Sequence, residues 1–247
     1  MENTVPALKN KQAFEAALKD YKVSDHGRHV LARTPFVAVS GLAGGGRNTI
    51  FRVLTEKYNY IFIVSDTTRP PKFRDGRMEQ NGVDYYFRKE DDMLRDIQNG
   101  EFIEAEIIHN QQVSGTSIRE VEHAIPTGRI PIHDFEYGGA NAVAKAKPDA
   151  AIIGLLPPSY DEWIRRLRGR EELHQQEFFN RLTTAKNVLE NMLAKPYFKF
   201  VINDVIEDCV ESIRRIVEAN EYSNEIRERG ERVATEILDA VNKALAE

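Results

Sequence analysis

The chain has 247 residues, of which 41% are hydrophobic and 30% charged, a composition typical of a soluble protein with a sizeable core. Its formal net charge of −5 argues against a broad nucleic-acid-binding surface, and no apolar run approaches the roughly 20 residues that cross a bilayer. Cys209 is the only cysteine, which excludes disulfide frameworks and thiolate metal clusters, and the N-terminus lacks a signal-peptide pattern, so we expect a cytoplasmic protein.

The N-terminal residues 1–34 predict a helical extension that precedes the main domain. Four hydrophobic side chains recur at helical spacing, at Phe14, Ala17, Leu18 and Tyr21. They indicate one short amphipathic helix. The polar stretch that follows it, residues 24–27, is typical of a turn.

A strand, a glycine cluster and an amphipathic helix follow one another over residues 36–58. The cluster contains Gly41, Gly44, Gly45 and Gly46. The spacing of the first and last glycine matches a G-x-x-x-x-G loop, which turns several backbone N–H groups toward one anion. Two positions depart from that pattern, because Arg47 and Asn48 replace the usual Lys and Ser or Thr. From these residues alone, the segment is either a phosphate-binding loop or a glycine-rich turn.

The rest of the chain predicts strands alternating with helices. Further strands are expected at residues 60–65, 85–87, 101–108, 130–136, 150–156 and 199–203. Further helices are expected at residues 90–98, 118–125, 161–170, 177–192 and 209–217, with an amphipathic C-terminal helix within residues 220–247. This alternation implies a parallel sheet that binds ligands beyond the carboxyl ends of its strands.

The order of short motifs over residues 36–217 resembles the guanylate kinase family. Besides the glycine loop, the motifs are residues 65–69, 82–85, 100–104, 115–116, 134–136, 156–159, 166–170, 181–182 and 201–204. The resemblance implies an α/β fold of the P-loop NTPase type, with three layers and a parallel core sheet, over residues 35–219. It also implies a monophosphate-binding insertion near residues 66–126 and a lid near residues 168–180. The terminal helices are expected to pack on the core or to pair two subunits as a homodimer.

The resemblance further implies Mg²⁺-dependent transfer of a phosphoryl group from ATP to GMP. From the net charge and the lack of a long apolar run, we expect no nucleic-acid or membrane partner. It assigns ATP binding to Gly41, Gly44, Gly45, Gly46, Arg47, Asn48, Thr49 and Asn203. It assigns GMP binding to Ser65, Arg69, Lys72, Tyr85, Glu104, Thr116 and Glu136. It assigns catalytic roles to Arg47, Arg166, Arg170 and Arg181. It assigns Mg²⁺ to Asn48 and, through water, to Asp134.

The chemistry of these residue types fits the implied roles. A guanidinium grips a phosphate bidentately, and a carboxylate such as Glu104 accepts both adjacent N–H donors of guanine. Adenine presents an acceptor at N1, so such a site discriminates by about four orders of magnitude. The alternative interpretations are a solvent-directed strand carboxylate for Glu104, a helix-capping residue for Asp134 and a solvated basic helix end for Arg166.

The departures from the family pattern lie in the predicted site. Besides Arg47 and Asn48, Lys72 takes the place of a second phosphate-binding arginine, and Glu136 replaces the usual Asp. The family's tyrosine before the Gly-Ser/Thr pair is absent, since Ser114 precedes Gly115 and Thr116. Two other functions therefore remain open. One is a non-catalytic module that binds a nucleotide or a protein, and the other is a kinase for a different monophosphate.

Overall fold

The computed structural model describes residues 8–74, 76–169 and 174–246. Its helices are Lys11–Lys19 (α1), Asp25–Arg33 (α2), Arg47–Lys57 (α3), Glu90–Gln98 (α4), Ile118–Ala124 (α5), Tyr137–Ala146 (α6), Tyr160–Arg168 (α7), Gln175–Leu193 (α8), Ile206–Glu218 (α9) and Asn224–Ala246 (α10). Its strands are Val37–Gly41 (β1), Tyr60–Phe62 (β2), Asp66–Thr67 (β3), Phe73–Arg74 (β4), Arg77–Met78 (β5), Tyr86–Phe87 (β6), Phe102–Ile108 (β7), Gln112–Ser117 (β8), Ile130–Asp134 (β9), Ala151–Leu156 (β10) and Phe198–Ile202 (β11). Within these ranges, no helix has the length and apolar character needed to cross a bilayer.

The chain forms two compact units. Unit 1 comprises the described part of Met1–Pro35 together with Ile61–Pro131 and Lys145–Pro148. Unit 2 comprises Phe36–Tyr60, Ile132–Ala144 and the described part of Asp149–Glu247. The N-terminal helices α1 and α2 thus belong to the unit that contains the predicted monophosphate-binding insertion.

The main sheet has the strand order β11-β10-β1-β9-β2. Strand β1 pairs in parallel with both β10 and β9, and β10 pairs in parallel with β11. Every residue of β1 and β10 is buried, as expected for strands covered on both faces. The parallel sheet confirms the expected α/β fold. Its register pairs Asp134, the last residue of β9, with Val39 in the middle of β1.

Helix α10 packs along α8 and β11 in unit 2. Its apolar stripe buries Ala234, Ile237 and Val241. Gly230 lies directly against Phe200, and a Cβ at this position would clash with the phenylalanine side chain. The C-terminal helix therefore takes the arrangement on the core that its apolar stripe predicts.

Unit 1 contains a second sheet of order β6-β3-β8-β7, in which β8 runs antiparallel to both β3 and β7. Helix α1 packs on α4 and β7, and α2 packs on α5. The hydrophobic core of this region includes Phe14 from α1 and Phe102 from β7, both with no exposed surface. The N-terminal helices are thus part of the core of unit 1.

The local structure differs from the sequence-based expectations in several places. Residues 24–27 do not form a turn, because the Ser24 hydroxyl accepts a hydrogen bond from the Gly27 N–H and caps α2. Strand β8 and helix α6 were not predicted, and the predicted strand 60–65 ends at Phe62. Helix α6 contains the pair Gly138-Gly139, which lowers intrinsic helix propensity, so burial of its other residues stabilises it.

Candidate active site

The glycine cluster connects β1 to α3 in a conformation that needs glycine. Gly44 and Gly46 adopt φ values of +80° and +94°, in the left-handed region that side chains disfavour. A Cβ at Gly46 would clash with the side-chain amide of Asn203, and a Cβ at Gly41 would lie 2.6 Å from the Leu155 carbonyl oxygen. The loop therefore follows a path that alanine cannot adopt at these positions.

Two side chains fix the loop by donating hydrogen bonds to its backbone carbonyls. The Trp163 indole N–H donates to the Ala43 carbonyl at 2.8 Å, and the Asn203 amide donates to the Gly45 carbonyl at 2.8 Å. In a trans peptide the C=O and the following N–H point in opposite directions. These two anchors therefore direct the N–H groups of Gly44 and Gly46 away from the protein interior. These N–H groups and the first amides of α3 are donors of the kind that bind an anion at a helix N-terminus.

Arg47 and Asp134 form an ion pair beside this loop. Burial raises the Asp134 pKa to about 6, while Arg47 lowers it and the neighbouring Glu136 raises it. The structure thus brings together two predicted residues, the lysine replacement and the predicted magnesium ligand. Asn48, the other variant position, lies in the first turn of α3 with an exposed side chain.

A cavity of ≈ 140 Å³ opens at the loop. Its lining includes Arg47, Glu136, Arg181 and Thr184. Arg181 also pairs with Glu177 one turn earlier on α8, at 3.0 Å. Three predicted residues, two cationic and one anionic, therefore share one small cavity.

Arg166 contacts two residues near the loop, Glu162 and Asn203. Its guanidinium pairs with Glu162 on α7 at 2.7 Å and donates to the Asn203 backbone carbonyl at 2.8 Å. Arg166 thus supports the residue that anchors Gly45. Arg170, the other predicted lid arginine, lies outside the described residues.

The predicted phosphate arginine in unit 1 is buried and paired. Arg69 binds Glu79 through two hydrogen bonds of 2.5 and 2.9 Å, and its guanidinium lies 4.6 Å from the centre of the Tyr85 ring. Glu79 also accepts the backbone N–H of Lys72 at 2.9 Å, and the Lys72 side chain is exposed. Hydrogen bonding from Arg69 lowers the pKa of Glu79. Two predicted GMP ligands, Arg69 and Tyr85, are therefore in contact, whereas Lys72 joins them only through its backbone N–H.

Glu104 and Thr116 are paired across β7 and β8. The Thr116 hydroxyl donates to the Glu104 carboxylate at 2.9 Å. Burial raises the Glu104 pKa to about 7, the hydrogen bonds from Thr116 lower it, and Glu106 raises it further. Ser65 immediately precedes β3 in the same sheet. A carboxylate with this pKa changes its charge near neutral pH, which a solvated strand glutamate does not do.

A family model described as guanylate kinase matches residues 33–220 of the chain. The chain belongs to the guanylate kinase family. It is 35% identical to the guanylate kinase of Rhodococcus jostii (strain RHA1) over 208 residues, which cover 83% of this chain and 97% of the relative. It is 36% identical to the guanylate kinase of Corynebacterium diphtheriae (strain ATCC 700971 / NCTC 13129 / Biotype gravis) over 184 residues, covering 73% and 93%. A crystal structure of guanylate kinase from Anaplasma phagocytophilum superposes with a TM-score of 0.55 and 25% identity, covering 77% of this chain and 88% of that one.

Three side chains that support the site in this member of the guanylate kinase family were not predicted from the sequence. Trp163 was one of several apolar helix residues, and nothing in the sequence linked it to Ala43. Glu79 lies in an arginine-rich segment, where its charge alone could have suggested an ion pair. Asp66, with no exposed surface, binds Arg88 and Arg119, the latter at 2.7 Å. This cluster ties β3 to α5 and so stabilises the sheet that carries Glu104 and Thr116.

Proposed function

We propose that this chain phosphorylates GMP with ATP, forming GDP and ADP. The observation that carries the proposal is the glycine loop, in which Trp163 and Asn203 bind two backbone carbonyls. Arg47, which is always positively charged, follows the loop directly. Phosphoryl transfer needs positioning and charge neutralisation more than covalent chemistry. A loop that no longer bound phosphate would not need both of these hydrogen bonds and the positive charge of Arg47.

ATP is proposed to bind with its β- and γ-phosphates on the loop amides and the first turn of α3. Arg47 and Arg181, which line the loop cavity, would neutralise charge on the transferring phosphoryl group. Thr49, another residue predicted to bind ATP, lies in the first turn of α3 next to Asn48. Arg166 would act by holding Asn203.

The donor set at the loop fits Mg²⁺ when the ion arrives with the nucleotide. Asp134 and Asn48 offer oxygen ligands, which Mg²⁺ prefers. Among the described residues, no group of three or more His, Cys, Asp or Glu side chains is arranged to hold a metal without other ligands. Such a site suits an ion that keeps several waters and relies on phosphate oxygens. Bound there, Mg²⁺ would neutralise phosphate charge.

GMP is proposed to bind through its base to Glu104 and Thr116 and through its phosphate to Arg69, Lys72 and Tyr85. Ser65 and Glu136 complete the predicted contacts to the nucleotide. Glu79 fixes the Arg69 guanidinium, so less conformational entropy is lost when a phosphate binds.

A coupled assay of ADP release tests the proposal. Purified protein is supplied with ATP, Mg²⁺ and, in separate reactions, GMP, AMP, CMP or UMP, and GMP alone should give turnover. Turnover with another acceptor would show a kinase of different specificity. Nucleotide binding without turnover for any acceptor would show a non-catalytic module.

A further inference from the structure

The strand that carries Glu104 is irregular immediately before this residue. Phe102 pairs with Ser117 and Glu104 pairs with Thr116, so two steps along β7 match one step along β8. The extra residue, Ile103, is buried. A bulge of this kind bends the strand and redirects the side chain that follows it. The direction of the Glu104 carboxylate therefore depends on how the backbone at Phe102 is held.

One tyrosine hydroxyl from the N-terminal extension holds that backbone. Strand β7 is an edge of its sheet. The Tyr21 hydroxyl accepts the Phe102 N–H at 2.8 Å and donates to the Phe102 carbonyl at 2.6 Å. Burial raises the Tyr21 pKa to about 12, so the hydroxyl keeps the proton that it donates. It thus replaces the two hydrogen bonds that a neighbouring strand would supply.

The chain around Tyr21 is fixed against the same part of unit 1. The Ser24 N–H donates to the Gly100 carbonyl at 2.9 Å. A Cβ at Gly100 would lie 2.6 Å from the Ser24 nitrogen and 2.8 Å from the Lys22 carbonyl oxygen, so the two backbones are in direct contact. The Tyr21 ring packs against the cluster that contains Phe102. All these extension residues precede residue 33, where the family match begins.

We propose that Tyr21 is a positioning residue for guanine recognition, which holds the bulge at Phe102 so that Glu104 meets the base in one orientation. This inference rests on the proposed function, in which Glu104 accepts the guanine N–H donors. The N-terminal extension thus supplies a specificity determinant for the site from outside the segment that the family model matches.

The substitution Tyr21→Phe tests the proposal, because the ring keeps its packing and only the hydroxyl is lost. We expect the KM for GMP to rise roughly five- to tenfold, the range for loss of a buried hydrogen bond that orients a ligand. The preference for GMP over AMP in kcat/KM should fall, whereas the KM for ATP and kcat at saturating GMP should stay within about twofold.

Tyr222→Phe is the matched control. The Tyr222 hydroxyl accepts the Phe200 N–H at 2.8 Å on β11 in unit 2. Both variants should lower the melting temperature, but only Tyr21→Phe should change the KM for GMP. Equal GMP kinetics in the two variants would overturn the positioning role and leave Tyr21 as a purely structural residue.

Two further measurements separate failure of this inference from failure of the proposed function. Wild-type protein must phosphorylate GMP, or the proposed function itself fails. Glu104→Gln must reduce the preference for guanine, or Glu104 does not read the base. If Tyr21→Phe yields little folded protein, amide hydrogen exchange on the wild type replaces it. Saturating GMP should slow exchange at Phe102 and leave exchange at Phe200 unchanged, and equal rates at Phe102 with and without GMP would reject the inference.

Discussion

The guanidinium of Arg47 binds the carboxylate of Asp134, and their side chains are 18% and 29% exposed. The family lysine at this position is a compact ammonium, whereas arginine is longer and planar and pairs with a carboxylate through a fork of donors. The pair joins the α3 N-terminus to the end of β9. Polyphosphate binding would offer Arg47 a second anion, and the two partners would then compete for the same guanidinium.

Arg47→Ala should lower kcat for GMP phosphorylation by roughly a hundredfold or more, because the lost charge acts mainly on the transition state. The KM for ATP should change less than kcat. Arg52→Ala, an exposed arginine on the same helix, is the control and should behave as wild type. Similar kcat values for both variants would exclude Arg47 from catalysis.

Asn48→Ser should maintain or raise activity, because it restores the hydroxyl that the phosphate-loop pattern places on Mg²⁺ at this position. The Mg²⁺ concentration for half-maximal rate should fall about two- to fivefold. Titrating MgCl₂ at fixed ATP in the coupled assay measures it. A higher Mg²⁺ requirement in the serine variant would contradict a metal-facing role for position 48.

Binding of GMP should depend on pH through Glu104. The guanine donors need the carboxylate, and burial raises the pKa of Glu104 to about 7, so the free protein is increasingly protonated below that pH. The KM for GMP should therefore fall as pH rises through about 7 and level off above it.

Glu104→Gln should remove this dependence and reduce the preference for GMP over AMP roughly a hundredfold, because the amide presents a donor to guanine N–H groups. A KM for GMP unchanged by the substitution would mean that Glu104 does not read the base.

The same carboxyl should lower folding stability above neutral pH. Its pKa rises from 4.5 to about 7 on folding, so the folded state binds the proton more tightly and charging it costs free energy. The cost is absent below about pH 4.5, develops as pH rises to about 7 and is complete above it. Glu104→Gln should therefore melt higher than wild type at pH 8, by a few degrees, with the difference vanishing near pH 4.5. Differential scanning calorimetry at both values measures it, and a lower melting temperature at pH 8 would contradict the assignment.

Trp163→Phe should weaken ATP binding about fivefold, since the Ala43 carbonyl loses its indole donor and the Gly44 N–H loses its fixed direction. The KM for GMP should not change. Trp163 is the only tryptophan of the chain, so its emission should also respond when ATP is titrated into the wild type. Tyr160→Phe on the same helix is the control, and an identical KM for ATP in both variants would reject the anchoring role.

The sequence predicted the parallel sheet and the glycine loop because both depend on local patterns. An apolar run before a glycine cluster indicates β1 and its loop whatever surrounds them. Ser24 was misread because serine before an acidic residue favours both turns and helix N-termini. Helix α6 has a glycine pair in its first turn, and its stability comes from burial that local propensity does not encode.

The contacts that support the site could not be predicted from the sequence, because they join residues far apart in the chain. Trp163 meets Ala43 across 120 residues, and Tyr21 meets Phe102 across 81. Such pairs follow from the fold and leave no periodic signal. The family resemblance predicted Arg69 as a phosphate ligand, but its pairing with Glu79 depends on how the segment between the two residues folds back.

The bond between Tyr21 and Phe102 also has a consequence during synthesis. The two residues are 81 positions apart, so at about 5–20 residues per second α1 leaves the ribosome roughly 4–16 seconds before the strand that it covers. During that interval the apolar face of α1 has no strand to pack on, and a chain started at residue 33 would leave the edge of β7 without this cover. Fragments lacking the extension should aggregate through this open edge, and nascent full-length chains should depend on chaperones until β7 emerges.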